Sequence, residues 1–243
     1  MIYDFILKKS KQNKKLFALL IDPDKTNPAQ LIKTLQLANK AGVDLLLVGG
    51  SLIMSDFHET ISIIKQNTPI PLVLFPGSTY QIDPNADALF LLSLISGRNA
   101  DLLIGNHVIA APFIRKSNLE VISVGYILIN CGTDTSVSYM SNTTPIPFNK
   151  NEIAIATAMA GEMTGKKIIY LEAGSGAAKP VSPEMVNAVK TNIQIPLIVG
   201  GGIRTTDQVT TIIEAGADMI VVGTAVEENP GLLITMVEKI HSY

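Results

Sequence analysis

The stretch Pro196–Gly202 reads PLIVGGG, an uninterrupted apolar run that stops on glycines. Alternating residues would mark a strand with one wet face. Continuous Leu, Ile and Val mark a strand covered on both faces, as in a parallel sheet. The same unit recurs on either side. Leu16–Asp22 (LFALLID), Leu45–Ser51 (LLLVGGS), Pro71–Ser78 (PLVLFPGS) and Ala88–Ser96 (ALFLLSLIS) come first. Val121–Asn130 (VISVGYILIN) and Ile168–Ser175 (IIYLEAGS) follow, and Met219–Thr224 (MIVVGT) closes the series. The spacing is about thirty residues, the length of a strand and its crossover helix.

The segments between these runs carry helix signals. Pro28–Ala41 has apolar residues at Leu31, Ile32, Leu35 and Ala38 and stops at Gly42, a helix period ended by a glycine cap. Ser182-Pro183 and Thr206-Asp207 read as helix starts, with proline at a tolerated first-turn position. Eight strand–helix units in 243 residues predict a (β/α)8 TIM barrel, one domain across residues 1–243. A doubly wound open sheet is the alternative, but no early GxGxxG fingerprint supports it. Two places break the regularity. Asp134–Asn151, rich in Ser, Thr, Asn and Pro, is an insertion between the fifth run and its helix, and Thr79–Asp87 is too polar and short for a barrel helix.

Composition narrows the function classes. With 47% hydrophobic and 16% charged residues the chain can bury a full core, which excludes a disordered tail protein. Twenty-one acids against nineteen bases leave a net charge of −2, so nucleic-acid binding has no electrostatic support. Cys131, the single cysteine, allows no intramolecular disulfide. No run reaches the ~18 apolar residues of a membrane span, and the N-terminal charges follow the apolar part, the reverse of a secretory signal. A cytoplasmic location is the expectation. The Lys8–Lys15 cluster reads as a solvated face, with contact to anionic lipid heads as the alternative.

In such barrels the site lies at the carboxyl ends of the strands. The seventh run ends in Gly200-Gly201-Gly202 and the eighth in Gly223-Thr224. Glycines let backbone N–H groups approach an anion, and barrels often bind phosphate after these two strands, with help from a following helix. Arg204 starts a helix and reads as a local cap or pair. The first run ends in Asp22-Pro23-Asp24-Lys25, at the far end of the strand order from the glycines but on the same rim. Asp22 is either a turn former or a hard oxygen ligand for Mg²⁺. Glu172 is a charge inside a buried strand end and needs a partner such as a substrate hydroxyl. Tyr170, two residues earlier, shares its face. His58, His107 and His241 read as structural or solvated, and Cys131 as a small buried group. No Ser-His-Asp order, HExxH or Walker motif is present.

Taken together, LLIDPDK, VGGS, LFPGS, YLEAGSGA, VGGGIRT and ADMIVVGTAVE resemble the geranylgeranylglyceryl phosphate synthase family of prenyltransferases. The resemblance covers nearly the whole chain in the same order, and YLEAGSGA is its most specific part. It implies a TIM barrel with an irregular third helix. It also implies a reaction joining a polyprenyl diphosphate to sn-glycerol 1-phosphate through an ether bond, with Mg²⁺. By the resemblance, Asp22 and Ser51 hold the metal. Glycerol phosphate lies on Tyr170, Leu171, Glu172, Ala173, Gly174, Ser175 and Gly176, on Gly201 and Gly202, and on Gly223 and Thr224. Glu172 is the expected base, and a homo-oligomer is implied. Relatives that carry Lys two residues before the metal Asp differ from this chain, which has Leu20 there. That places it with the Ile-Asp-Pro-Asp branch and favours a C20 donor, a C35 donor being the alternative. Leu89–Ile95 and Leu102–Ile104 are candidate walls for the prenyl tail, most of them core.

Two readings of other classes remain. A phosphosugar isomerase or aldolase-like barrel would share the glycine loops but needs a Schiff-base Lys or an Asp pair at the strand ends. Lys167 lies at the wrong end of its strand, and Asn130 stands where a partner for Asp22 would be. A non-catalytic binder of phosphorylated metabolites would keep the glycines without the metal pair.

Overall fold

A computed structural model describes all residues, Met1–Tyr243. In chain order its elements are α1 (Ile2–Lys11), β1 (Leu16–Ile21), α2 (Pro28–Ala41), β2 (Leu45–Val48), α3 (Phe57–Asn67), β3 (Leu72–Leu74) and β4 (Ala88–Leu94). Then come α4 (Asn106–Ser117), β5 (Glu120–Asn130), α5 (Ser136–Ser141), β6 (Ile146–Pro147), α6 (Asn151–Met163) and β7 (Ile168–Glu172). The last are α7 (Pro183–Lys190), β8 (Leu197–Gly200), α8 (Thr206–Glu214), β9 (Met219–Val222), α9 (Thr224–Glu228) and α10 (Leu232–His241). A 3₁₀ turn follows β1 at Pro23–Lys25, and a π-helical turn, Asp101–Gly105, leads into α4.

Eight strands run parallel in the order β4-β3-β2-β1-β9-β8-β7-β5, and β4 pairs with β5 to close a (β/α)8 barrel. β6 is a two-residue appendage on β5, inside the Asp134–Asn151 insertion. The eight runs read from the sequence all become strands, but several are shorter. Pro71–Ser78 yields only Leu72–Leu74, because Phe75–Ser78 leaves the sheet as a rim loop. Helix α2 occupies Pro28–Ala41 and ends on Gly42 at φ 77, the left-handed cap that glycine tolerates. Helix α7 is capped by Ser182, and α8 begins at Thr206 as read from the sequence. Thr205 caps it in a reciprocal box with Gln208, which satisfies two free N–H groups at once. No helix joins β3 to β4.

Strand alternation divides the apolar residues into two cores. Leu16, Ala18, Leu45, Leu47, Phe90, Val124, Ile198 and Val221 point inward and fill the barrel. A larger set, including Leu19, Leu46, Leu171, Val199 and Ile220, faces the helices. Helix α1 plugs the amino end of the barrel with Ile6, and its first N–H groups donate to the Glu120 carboxylate. The lysines of Lys8–Lys15 therefore sit at the end opposite the carboxyl rim.

One buried carboxylate ties four elements together. Asp218 accepts from Ser10 Oγ at 2.8 Å, Lys190 Nζ at 2.7 Å and the Leu197 N–H at 2.8 Å, linking α1, α7 and β8 at the start of β9. Removing it strands a cation and a buried N–H, a change that costs about 3 kcal/mol. Asp218→Ala is therefore expected to lower the unfolding free energy by about that amount in urea denaturation. A loss under about 1 kcal/mol would mean the network is not holding the elements together.

Candidate active site at the carboxyl rim

The carboxyl ends of the strands open into one cleft of about 940 Å³. Asp22, Ser51, Tyr170, Glu172, Ser175, Gly176, Gly201, Gly202, Gly223 and Thr224 all line it. The remaining sequence candidates stand behind this surface. Leu171 and Ala173 turn their side chains into the outer core. Gly174 sits beneath Thr135 at φ 96, with its N–H engaged by Glu172.

Glu172 ends β7 with a carboxylate only 5% exposed. Burial pushes its pKa above the ordinary value, an effect held back first by the Gly174 N–H, which donates at 2.6 Å, and then by the phenols of Tyr170 and Tyr126. Burial, and then the charge of Glu172, raise both phenols well above their usual range, so they stay protonated. Tyr170 Oη closes no hydrogen bond of good geometry and remains a buried donor at the cleft floor. Phe75, Tyr126 and Tyr170 form that floor, with ring centroids 5.3 to 5.9 Å apart.

The glycines around this group have individual reasons. A Cβ on Gly200 would lie 2.1 Å from Tyr170 Oη. One on Gly201 would lie 2.4 Å from Glu172 Oε1, and Gly201 and Gly202 also have φ of 81 and 69. Gly223 differs. Its φ is −126, outside the left-handed region, and its space is limited by the Leu20 carbonyl, 3.1 Å from a built Cβ. The helix that follows, α9, is only five residues long.

A correction concerns Asp22. Barrel closure pairs β1 directly with β9, from Leu16↔Met219 to Leu19↔Val222, so Asp22 is next to the Gly223–Thr224 loop and not across the rim. Its Oδ1 accepts the Asp24 N–H at 3.1 Å, which is the turn role. Asp24 in turn accepts the N–H groups of Met54 and Ser55 at 2.9 and 2.8 Å, pinning the loop after β1 to the loop after β2. The Ser55 hydroxyl and these N–H groups lower its pKa. A Cβ on Gly50 would lie 3.5 Å from Asp22 Oδ1, which brings the Ser51 segment to the same carboxylate.

Sequence reasoning missed three residues. Gln81, 3% exposed, donates to the Gly50 carbonyl at 2.8 Å and accepts the Gly77 N–H at 3.0 Å, clamping two rim loops in place of the absent helix. Tyr126 shares the floor with Tyr170 and is reachable only from the inward register of β5. Lys25 extends back over the cleft to Ser175. The candidates set aside in the sequence are engaged elsewhere. Arg204 donates to the Ala177 carbonyl at 2.7 Å. His58 pairs with Asp83 at 2.7 Å, and His241 with Asp44 at 2.9 Å. Burial first, with Glu172 adding, pushes the Cys131 thiol up to about 12.

Beyond the polar rim the cleft continues as an apolar trough between β4 and α4. Leu89, Leu91, Leu92, Leu94 and Leu102 line it, whereas Ile104 points away into solvent. The missing β3–β4 helix leaves this flank of the barrel wall open.

Residues 8–241 match the sequence model of the PcrB family. This chain belongs to the PcrB family. The PcrB chain is 48% identical over 242 residues to the geranylgeranylglyceryl phosphate synthase of Chitinophaga pinensis, covering 99% of itself and 96% of that protein. It is 40% identical over 230 residues to the enzyme of the same name from Pyrococcus abyssi, covering 94% and 90%. Its structure is similar to that of (S)-3-O-geranylgeranylglyceryl phosphate synthase from Thermoplasma acidophilum in complex with substrate sn-glycerol-1-phosphate. There the TM-score is 0.94, with 34% identity and coverage of 100% and 99%.

Because the pKa of Glu172 is raised on folding, the native state binds more protons than the unfolded chain as pH climbs from 4.5, and stability falls through that window. Glu172→Gln keeps an acceptor for the Gly174 N–H without the buried charge. Its melting temperature is expected to match wild type below pH 4.5 and exceed it progressively at higher pH. Parallel melting curves across pH 4–8 would show that Glu172 carries no burial penalty.

Proposed function

We propose that this chain is a geranylgeranylglyceryl phosphate synthase: it transfers the prenyl group of a C20 diphosphate to the 3-hydroxyl of sn-glycerol 1-phosphate and releases diphosphate. The observation that carries this reading is the joining, in one cleft, of a glycine cradle, a buried carboxylate and an apolar trough. An isomerase or a simple phosphate binder has no use for the trough, which suits a hydrocarbon tail kept away from water.

Gly201, Gly202, Gly223 and Thr224 offer backbone and hydroxyl donors to the acceptor phosphate. Glu172 and Tyr170 lie beside the cradle and orient the glycerol hydroxyls, so the acceptor is held in place before reaction. The 3-hydroxyl oxygen bonds to the allylic carbon as the bond from that carbon to the diphosphate oxygen breaks. The hydroxyl proton passes to Glu172, whose raised pKa suits a base. The floor of Phe75, Tyr126 and Tyr170 excludes water from the allylic centre.

The donor set also fits Mg²⁺, which takes one or two carboxylates together with phosphate oxygens. Asp22 and Ser51 are hard oxygen donors on adjacent rim loops, and Asp22 is only partly exposed. When bound, the metal would supply positive charge for the departing diphosphate. The reading places the enzyme in the cytoplasm.

Incubation with labelled geranylgeranyl diphosphate, sn-glycerol 1-phosphate and Mg²⁺ is expected to give a prenylglycerol ether after phosphatase treatment, and only when both substrates are present. No ether product from folded protein would reject the reading. Asp22→Asn is expected to reduce turnover on the order of 10² with little change in melting temperature, and extra Mg²⁺ should restore part of it. A lowered melting temperature with an unchanged Mg²⁺ titration would leave Asp22 as a turn former only.

A further inference from the structure

Four basic side chains line the cleft: Lys25, His58, His107 and Arg204. Three are committed to the protein itself. Arg204 braces the Ala177 carbonyl at 2.7 Å, His58 is held by Asp83 at 2.7 Å, and His107 Nε2 contacts the Leu92 carbonyl at 2.8 Å. Lys25 is different in both reach and grip. It leaves the 3₁₀ turn after β1 and crosses to the β7 loop, where its ammonium donates to Ser175 Oγ at 3.2 Å. Ser175 Oγ lies 3.4 Å from Thr224 Oγ1, so the ammonium stands at the edge of the Gly223–Thr224 loop.

Its carboxylate partners are loose. Asp22 Oδ2 is 3.4 Å away and Glu227 Oε2 is 3.7 Å away. A committed lysine pair in this molecule is much shorter: Lys190 and Lys65 each approach their aspartates to 2.7 or 2.8 Å. Charge-assisted bonds form at about 2.7–2.9 Å, so Lys25 is steered by two carboxylates without being bonded tightly by either. A phosphate oxygen arriving between Ser175 and Thr224 would offer a partner at full bonding distance for a small movement of a flexible stem.

We propose that Lys25 is the cationic ligand of the acceptor phosphate, held over the Ser175–Thr224 edge of the cradle by Asp22 and Glu227 until the anion binds. The other donors of the cradle, the glycine and Thr224 N–H groups and the Ser175 and Thr224 hydroxyls, are neutral. This rests on the glycerol phosphate reading above. The same geometry links the two halves of the site. Lys25 leaves Asp22 when it bonds the phosphate, which frees a carboxylate oxygen for a metal.

The test is calorimetry of sn-glycerol 1-phosphate without metal, on wild type, Lys25→Ala and Lys25→Arg, with inorganic pyrophosphate titrated in parallel. Loss of one charge-assisted contact is expected to weaken glycerol phosphate binding about tenfold or more in Lys25→Ala. Lys25→Arg should recover part of the loss. The wild-type affinity should fall more steeply with salt than that of the alanine variant. Lys179→Ala, which removes a cation from the same rim that sits 3.4 Å over the Phe148 ring, should change the affinity less than about twofold. Unchanged melting temperature in Lys25→Ala would separate binding from folding, the side chain being 42% exposed. Equal glycerol phosphate affinity in wild type and Lys25→Ala would overturn the proposal, as would an equal loss in Lys179→Ala or a loss confined to pyrophosphate. No binding by wild type would instead count against the acceptor itself.

Discussion

A carboxylate at the mouth of an apolar barrel must be answered from every side, and Glu172 sets that requirement here. The alternation of β7 sends Ile168, Tyr170 and Glu172 inward, stacking a charge above two layers of hydrophobic filling. Its neighbours are shaped by that charge. Gly174 turns its N–H onto the carboxylate, Gly201 has no room for a side chain beside it, and Gly200 leaves space for the Tyr170 hydroxyl. The cradle is therefore glycine-rich for the sake of Glu172 and Tyr170 as much as for any anion. An enzyme reaction gains from the same arrangement, since a carboxylate whose proton affinity is raised by burial is a stronger base than an exposed one.

The second constraint is a missing element. Barrel strands are usually covered by a helix after each strand, yet the β3–β4 connection has none. The polar segment there cannot bury a helical face, and Gln81 takes over its tethering role through Gly50 and Gly77. Leu89, buried at the edge of the outer core, and the more accessible Leu91 then border the trough against α4. The π-helical turn that starts this region and Pro112 within α4 both disturb regular helix bonding on the trough's far wall.

Much of this was legible in the sequence because it depends on local patterns. Eight continuous apolar runs specify doubly covered strands, Gly42 marks a helix end by tolerating a left-handed φ and Ser182 marks one with its hydroxyl, and the barrel places run ends on one rim. Thr79–Asp87 announced the irregular third unit by its polarity and length. What was not legible depends on closure and on side-chain reach. The pairing of β1 with β9 puts Asp22 beside Gly223, although the two are nearly the full chain apart. Lys25 carries no signal of its own in the sequence, and its reach to Ser175 exists only once the barrel has closed. Tyr126 and Gln81 are ordinary residues of a strand and a loop whose importance comes from what lies opposite them.

The central claim is that Glu172 is a carboxylate raised by burial and positioned at the acceptor site. Carbon-13 NMR of protein labelled at the glutamate δ-carboxyl, with the resonance assigned by its disappearance in Glu172→Gln, measures this directly. The account predicts a titration midpoint for Glu172 above 4.5 and a displaced resonance when sn-glycerol 1-phosphate is added. A midpoint at or below 4.5, with a resonance indifferent to glycerol phosphate, would contradict it.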